Sequence, residues 1–222
     1  MPKIRVLRNL LAIAVISTLW ACDSPPERTS GSVGNADRPL SRVERDGGMF
    51  SRIDVSMYAQ EQVAGNWCWA ACVATTINCL LEENAIDQPT VVRDIFGGKL
   101  PDVGAYEGDI VQAINGRTFI HKFEYGNQQI LYKLRAWAMR GLPPPDVLSR
   151  LSDRDQMAIV LIPRHAVVLF GAYWSPAIFR DRGDPVYNHI SVWDPWPRKG
   201  IRDIKESDIQ GMIFVSLDET PM

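Results

Sequence analysis

The chain has 222 residues, of which 46% are hydrophobic and 23% are charged, so it is long enough to bury one core of ordinary size. Its formal charge is −2, and it becomes −5 without residues 1–21, which hold three basic residues and no acidic one. A mildly acidic chain without a Lys/Arg cluster lacks the footprint of a nucleic-acid-binding protein, so we expect no nucleic-acid partner.

The N-terminus has the pattern of a secretion signal. A basic segment precedes the apolar run from Leu10 to Leu19, which is too short to span a bilayer as a helix. The ending Leu-Trp-Ala-Cys is similar to the bacterial lipoprotein signal, in which the cysteine becomes the lipidated first residue of the mature protein. We therefore predict a signal peptide over residues 1–21 and lipidation of Cys22, with ordinary cleavage or an uncleaved anchor as the alternatives.

This N-terminus predicts the location of the protein. A lipid on Cys22 anchors it in a membrane of the bacterial cell envelope, on the extracytoplasmic side, either in the periplasm or at the cell surface. Asp23 resembles an inner-membrane retention signal. Residues 22–48 are rich in Ser, Pro, Gly and Asn and predict a flexible tether, so residues 49–222 form one domain, expected to be a monomer.

The first half of that domain predicts mainly helices. After an alternating segment at 49–58 that indicates a strand, Asn66 can cap a helix over 67–81, whose first turn carries Cys68. Two further helices are predicted over 88–96 and 107–115, followed by a strand over 118–124. Apolar residues then recur at helical spacing, which predicts a helix beginning at Asn127 and ending near Gly141.

The last third predicts an antiparallel sheet. A short helical turn over 146–151 precedes four β-rich apolar runs, which are 157–162, 166–173, 187–193 and 212–217. The predicted fold class is α+β, with an N-terminal helical part packed on a C-terminal antiparallel β-sheet.

Three of the four cysteines share the predicted helix over 67–81. Cys72 and Cys79 follow Cys68 at spacings of four and eleven residues, which are too distant on a helix for disulfides among the three. A helix N-terminus favours the thiolate, so Cys68 is the candidate nucleophile, with an inert buried thiol as the alternative. No Cys or His pair has metal-ligand spacing, so we expect neither a metal nor a cofactor.

A base and a residue to orient it are available in the predicted sheet. His165 begins the most apolar strand, directly after a turn, whereas His121 and His189 are expected to be ordinary surface or core residues. Asp194 ends the following long strand, and antiparallel order can bring it beside the start of the His165 strand. Taken alone, His165 can be a structural residue and Asp194 part of an Asp-Pro turn.

These segments resemble the papain-like cysteine peptidases. The residues that carry the resemblance are Gln62, Cys68-Trp69-Ala70, His165 with the apolar strand after it, and Asp194-Pro195-Trp196. The form Asn-Trp-Cys-Trp-Ala-Ala is similar to the compact bacterial branch with secreted effector, staphopain-like and bacteriocin-leader peptidases. The chain departs from plant-type members in Asp194, where they have asparagine, and in its long loop Trp174–Val186.

The resemblance implies a papain-like fold with a central catalytic helix and a role for each matching residue. Cys68 is implied as the nucleophile, His165 as the general base and acid, Asp194 as its orienting partner and Gln62 as an oxyanion donor. Trp196 is implied to shield the His165–Asp194 hydrogen bond. We expect Trp69, Trp174 and Trp196 to line the substrate groove, with core packing as the alternative.

The resemblance predicts hydrolysis of a peptide or protein substrate through a thioester intermediate. Two other functions use the same residues or the same fold. One is acyl transfer of the transglutaminase kind, and the other is a catalytically silent peptide-binding lipoprotein.

Overall fold

The computed structural model describes residues 48–50, 55–122, 129–152, 156–175 and 186–221. The predictions for the signal peptide, the tether and lipidation at Cys22 fall outside these residues, as do residues 176–185 of the long loop. No helix among the described residues is both long enough and apolar enough to cross a membrane.

Helices and one large sheet build the α+β domain, as predicted. The helices are α1 (Val55–Tyr58), α2 (Cys68–Leu81), α3 (Gln88–Ile95), α4 (Glu107–Ile114) and α5 (Pro145–Ser152). The strands are β1 (Gly48–Phe50), β2 (Thr118–Lys122), β3 (Gln129–Arg140), β4 (Met157–Ile162), β5 (His165–Ser175), β6 (Val186–Asp194), β7 (Gly200–Ile204) and β8 (Gly211–Pro221). The predicted helices and strands after residue 60 are confirmed, except for one helix.

All described strand pairings are antiparallel. The order across the sheet is β2-β3-β8-β4-β5-β6-β7, and β1 pairs with β5 off this path. Alternate residues of the central strands point to opposite faces, so the sheet has two apolar sides. α2 packs on one side against residues that include Leu134, Ile159, Leu161, Ala166, Val168 and Ile213. α5 covers the other side, against residues that include Ala158, Val160, Val167, Leu169 and Phe214.

The helix predicted from Asn127 is wrong, because residues 129–140 form strand β3. This strand pairs with β2 on one side and with β8 on the other. Leu134 joins the core beneath α2, while Trp137 stacks on Phe214 on the opposite face. The apolar residues of this segment fit both the 3.6-residue period of a helix and the two-residue period of a strand. Pairing along both edges of β3 selects the strand.

Two other elements differ from the sequence prediction. Of the strand expected over 49–58, residues 49 and 50 belong to β1, whereas Val55–Tyr58 is a helical turn that buries Val55. Strand β7 was not predicted. Its half-buried positions include Arg202 and Ile204, whereas Ile201 and Asp203 are exposed, so neither face of this strand is uniformly apolar.

The end of α2 is held by Asn78, which leads to a stability prediction. Its buried side chain bonds both the N–H and the C=O of Ile86, at 3.0 Å each. Asn78→Ala leaves these buried groups without that partner and is expected to lower the free energy of unfolding by about 2–3 kcal/mol.

Thr76 on the same helix is the matched control. Its hydroxyl is fully buried and has no hydrogen-bond partner among the described residues. Thr76→Val is therefore expected to change stability by less than about 1 kcal/mol, or to raise it. Urea denaturation of both variants measures the two changes in the free energy of unfolding. Equal losses in Asn78→Ala and Thr76→Val would contradict the prediction.

Candidate active site

Cys68 is the first residue of α2 and is only 3% exposed. The predicted Asn66 cap is wrong, because Trp67 precedes the helix and no side chain caps it. Asn66 instead bonds the loop at Asp102, through its N–H at 2.7 Å to the carboxylate and through its amide at 3.2 Å to the carbonyl. Without a side-chain cap, the positive end of the helix dipole faces Cys68, which favours a thiolate there.

The loop over 99–105 holds the turn that carries Cys68, and the sequence did not predict this contact. The indole of Trp67 donates to the carbonyl of Pro101 at 2.8 Å, and that of Trp69 donates to Val103 at 3.1 Å. With the Asn66–Asp102 bonds, these contacts fix the segment on both sides of the sulfur. Preorganisation of this kind is what a nucleophile requires of its support.

His165 is placed by a tight hairpin between β4 and β5. Ile162 pairs with His165 across a two-residue turn, in which Arg164 has a φ of 57°. His165 is therefore the first residue of β5, with a side chain that is 15% exposed. A side chain at this position is held by the sheet and still reaches the surface cleft.

His165 and Asp194 meet as the antiparallel order predicts. Nε2 of His165 lies 2.7 Å from Oδ1 of Asp194, which is the last residue of β6 and is buried. Because Asp194 engages Nε2, Nδ1 is the ring nitrogen that can act on a sulfur. A buried carboxylate at this position orients the imidazole and stabilises its protonated form.

Asp194 is held by two further donors. The N–H of Trp196 donates to Oδ1 at 2.9 Å, and Nε of Arg202 donates to Oδ2 at 2.6 Å. Burial raises the pKa of Asp194, but His165, Trp196 and Arg202 together outweigh burial and leave that pKa below its ordinary value of 3.8. Asp194 is therefore ionised throughout the neutral and weakly acidic range.

Arg202 is a site residue that the sequence did not reveal. It lies on the unpredicted strand β7, which pairs with β6 so that Asp194 is opposite Gly200. Its side chain is 34% exposed, and its guanidinium closes the side of Asp194 that faces away from His165. A single arginine within the short segment Gly200–Ile204 carries no sequence pattern that would have indicated this role.

One pocket joins the two halves of the site. Cys68 of α2 and His165 of β5 both line it, and its volume is about 260 Å³ including the open mouth. Its other lining residues are Trp69, Ala105, Glu107, Ile110, Leu161 and Ala166. The cysteine and the histidine are 97 positions apart in the sequence, yet they face the same cavity.

Gln62 is buried beside the turn that carries Cys68. Its amide nitrogen donates to the carbonyls of Ala64 and Gly65, at 2.9 Å each, and its Oε1 has no partner among the described residues. Its backbone N–H donates to Pro195 at 2.7 Å, which ties this segment to the residue after Asp194. Both amide protons are thus engaged, and donation to an oxyanion requires exchange of one of these bonds.

The three tryptophans expected at the groove lie in three different environments. Trp196 packs edge-on against the ring of His165, with centroids 6.5 Å apart. Trp69 lines the pocket but is only 2% exposed, so it serves as a wall. Trp174 packs against Tyr187 and the core on the sheet face opposite α2, so the structure does not bring it to the pocket.

The cysteines differ in state. Cys72 and Cys79 are free and buried, and burial, followed by the charge of Asp194, raises the pKa of Cys72 well above its ordinary value. Cys72 is therefore an inert thiol. Cys68, in contrast, is the first residue of α2 and lines the pocket shared with His165.

A second cluster of Ser191, His189 and Asp203 has the composition of a hydrolytic triad but a different geometry. Ser191 Oγ lies 2.9 Å from Nε2 of His189, and Asp203 Oδ1 also lies 2.9 Å from that same nitrogen. A relay requires the acid and the nucleophile on different ring nitrogens. The cluster is therefore a bond between β6 and β7. Among the described residues, no group of three or more His, Cys, Asp or Glu side chains has metal-site geometry.

Comparison with known proteins gives one family match, over the part of the chain that bears Cys68. The family model described as papain-like cysteine protease AvrRpt2 matches residues 49–139. This match supports a papain-like cysteine peptidase. The match includes Gln62, Cys68 and Trp69 but covers less than half of the chain. It ends before His165 and Asp194, so the roles of those two residues depend on the contacts described above. Comparison with curated proteins gave no significant match.

Proposed function

We propose that this protein is a cysteine peptidase that cleaves peptide bonds through a Cys68–His165–Asp194 triad. The observation that carries the proposal is the shared pocket of Cys68 and His165, together with the 2.7 Å contact between His165 and Asp194. The family match over the helix that bears Cys68 supports it independently. Each group has the chemistry that its role requires.

In the proposed reaction, the Cys68 thiolate attacks the carbonyl carbon of the peptide bond. Protonated His165 then gives its proton to the leaving nitrogen, the C–N bond breaks, and a thioester to Cys68 remains. His165 next accepts a proton from water, and the resulting hydroxide attacks the thioester. The second peptide leaves as a carboxylic acid and the thiolate is restored.

Asp194 and Arg202 serve this reaction without touching the substrate. The carboxylate of Asp194 holds His165 in the orientation in which Nδ1 addresses the sulfur. Arg202 and the N–H of Trp196 hold the carboxylate in turn, at 2.6 and 2.9 Å. Both are positioning contacts, and their value lies in keeping the imidazole in one rotamer.

The oxyanion of the tetrahedral intermediate requires donors near Cys68. The backbone N–H of Cys68 at the start of α2 is one proposed donor, favoured by the helix dipole. Gln62 is the other, on condition that its amide exchanges its bond to Ala64 or Gly65 for the oxyanion.

The setting that we propose is extracytoplasmic. It is supported only by the sequence of residues 1–22, which resembles a lipoprotein signal. In that setting the peptidase domain is attached to the bacterial envelope through Cys22 and acts on peptide or protein substrates there.

Thiol labelling tests the catalytic pair directly. The wild-type protein, after reduction with dithiothreitol and removal of the reductant, is treated with a peptidyl epoxide at neutral pH. We expect labelling of Cys68 alone, with a rate at least about 10²-fold lower in His165→Ala, because loss of the base removes the thiolate–imidazolium pair. Peptide mapping by mass spectrometry identifies the labelled residue.

Substitution of His189 provides the control. His189→Ala removes an imidazole of the same domain that lies in the β6–β7 cluster, so the labelling rate of Cys68 should not change. Labelling of Cys72 or Cys79 at the rate of Cys68, or a rate indifferent to His165, would contradict the catalytic pair. Products formed with an added amine distinguish hydrolysis, which releases a free carboxylate, from acyl transfer, which leaves the amine attached.

A further inference from the structure

Among the residues that the structure describes, Glu107 is the one acidic side chain that lines the pocket of Cys68 and His165. Apart from the two catalytic residues, the rest of the lining is apolar, and it includes Trp69, Ile110 and Leu161. Glu107 itself is exposed. A substrate side chain that enters beside Cys68 therefore meets apolar walls with a carboxylate among them.

The carboxylate of Glu107 extends over strand β8. Its Oε2 lies 3.5 Å from the place where a Cβ would stand on Gly211, and Leu161 Cδ1 lies 3.8 Å from the same place. The Glu107 carboxylate and the Leu161 wall of the pocket are thus close neighbours.

Glu107 lies in the first turn of α4, and within the described parts of the chain its carboxylate has neither a hydrogen bond nor an ion pair. The capping bond of α4 is made by Asp109, whose carboxylate accepts from the N–H of Tyr106 at 2.9 Å. No cationic side chain among the described residues pairs with Glu107. Its charge is therefore available to a ligand, in contrast to Asp194, which has three donors.

We propose that Glu107 selects substrates with a lysine or arginine side chain near the scissile bond. The aliphatic part of such a side chain packs on the apolar lining, and its cationic end reaches the carboxylate of Glu107. The inference rests on the peptidase function proposed above and names its substrate class. Glu107 is a specificity residue, because it contacts the substrate side chain and not the reacting carbonyl.

Cleavage of a peptide library by the reduced wild-type protein identifies the preferred position. At that position, matched peptides carrying lysine or norleucine are then compared, since the two side chains share the aliphatic stem and differ in the charge. We expect kcat/KM to favour lysine by about fivefold to tenfold at low salt, as for a partly exposed ion pair, and the preference to shrink in high salt.

Glu107→Gln should remove the lysine preference and leave cleavage of the norleucine peptide within about twofold of wild type. Glu107→Arg should favour a glutamate peptide instead. Glu83→Gln is the matched control, because it removes an exposed carboxylate at the far end of α2, and it should retain the lysine preference.

The outcomes separate this inference from the function on which it rests. Cleavage without a basic preference, or a lysine preference that survives in Glu107→Gln, overturns the role of Glu107 and leaves the peptidase proposal standing. Failure of the wild-type protein to cleave any library peptide, together with absent epoxide labelling of Cys68, overturns both.

Discussion

Cys68→Ala is expected to abolish peptide cleavage, with kcat/KM falling at least about 10⁴-fold relative to the reduced wild-type protein. The reason is that no other side chain at the pocket can form the thioester, since Cys72 and Cys79 are buried in the core. The measurement is cleavage of a fluorogenic peptide mixture in dithiothreitol.

Cys72→Ala is the matched variant, one helical turn farther along α2. Cys72 is fully buried and remains a thiol, so its loss removes packing and not chemistry. We expect cleavage within about threefold of wild type and a loss of about 1 kcal/mol in the free energy of unfolding. Cleavage that survives in Cys68→Ala, or is lost in a folded Cys72→Ala, would contradict the assignment of the nucleophile.

Asp194→Ala is expected to have the second-largest effect. It removes the acceptor of His165 and leaves the Arg202 guanidinium without its carboxylate. We expect kcat/KM to fall by about 10²- to 10⁴-fold, because the imidazole loses its orientation and the stabilisation of its protonated form.

Arg202→Gln keeps the carboxylate and should lower kcat/KM by only about tenfold, with partial recovery in Arg202→Lys.

The pH dependence of stability distinguishes a positioning role of Arg202 from simple packing. The native pKa of Asp194 lies below its ordinary value, so its ionised form stabilises the fold at pH above the unfolded-state pKa. That stability is lost as the pH falls through the lower native pKa. Arg202→Gln removes one of the groups that depress the pKa, so the loss should be smaller than in wild type and should be complete at a higher pH.

Urea denaturation from pH 3 to pH 7 measures this shift. Asp194→Asn, which cannot ionise, should lack the same acidic component altogether. If Arg202→Gln and wild type lose stability over the same pH range, then Arg202 does not act on the carboxylate of Asp194. Activity of the Arg202 variants at pH 7 would then have to be explained by packing alone.

Local sequence patterns predicted the elements of the site well where the chain is strongly apolar. The helix that bears Cys68 and the strand that begins at His165 were both evident, because each is a long buried run with polar residues at its boundary. Papain-like motifs added the order of the roles from Gln62 to Asp194. The contact of His165 with Asp194 also followed from antiparallel order.

Patterns failed where apolar spacing was ambiguous or absent. Residues 129–140 have apolar positions that fit a helix as well as a strand, and only pairing with β2 and β8 selects the strand. In β7 each face combines an isoleucine with a charged residue, so the strand has no alternation of apolar and polar residues. Because strand β7 was not predicted, Arg202, which bonds Asp194, was not identified as a site residue.

The sequence by itself determined the α+β class, the candidate nucleophile at a helix end and the candidate base at the start of a buried strand. These three follow from local periodicity and residue chemistry. Tertiary structure alone decided what surrounds them. It placed the loop over 99–105 on the Cys68 turn, Arg202 on Asp194 and Glu107 in the pocket. Such contacts join residues far apart in the chain, and their geometry comes from sheet register and packing, which no local pattern encodes.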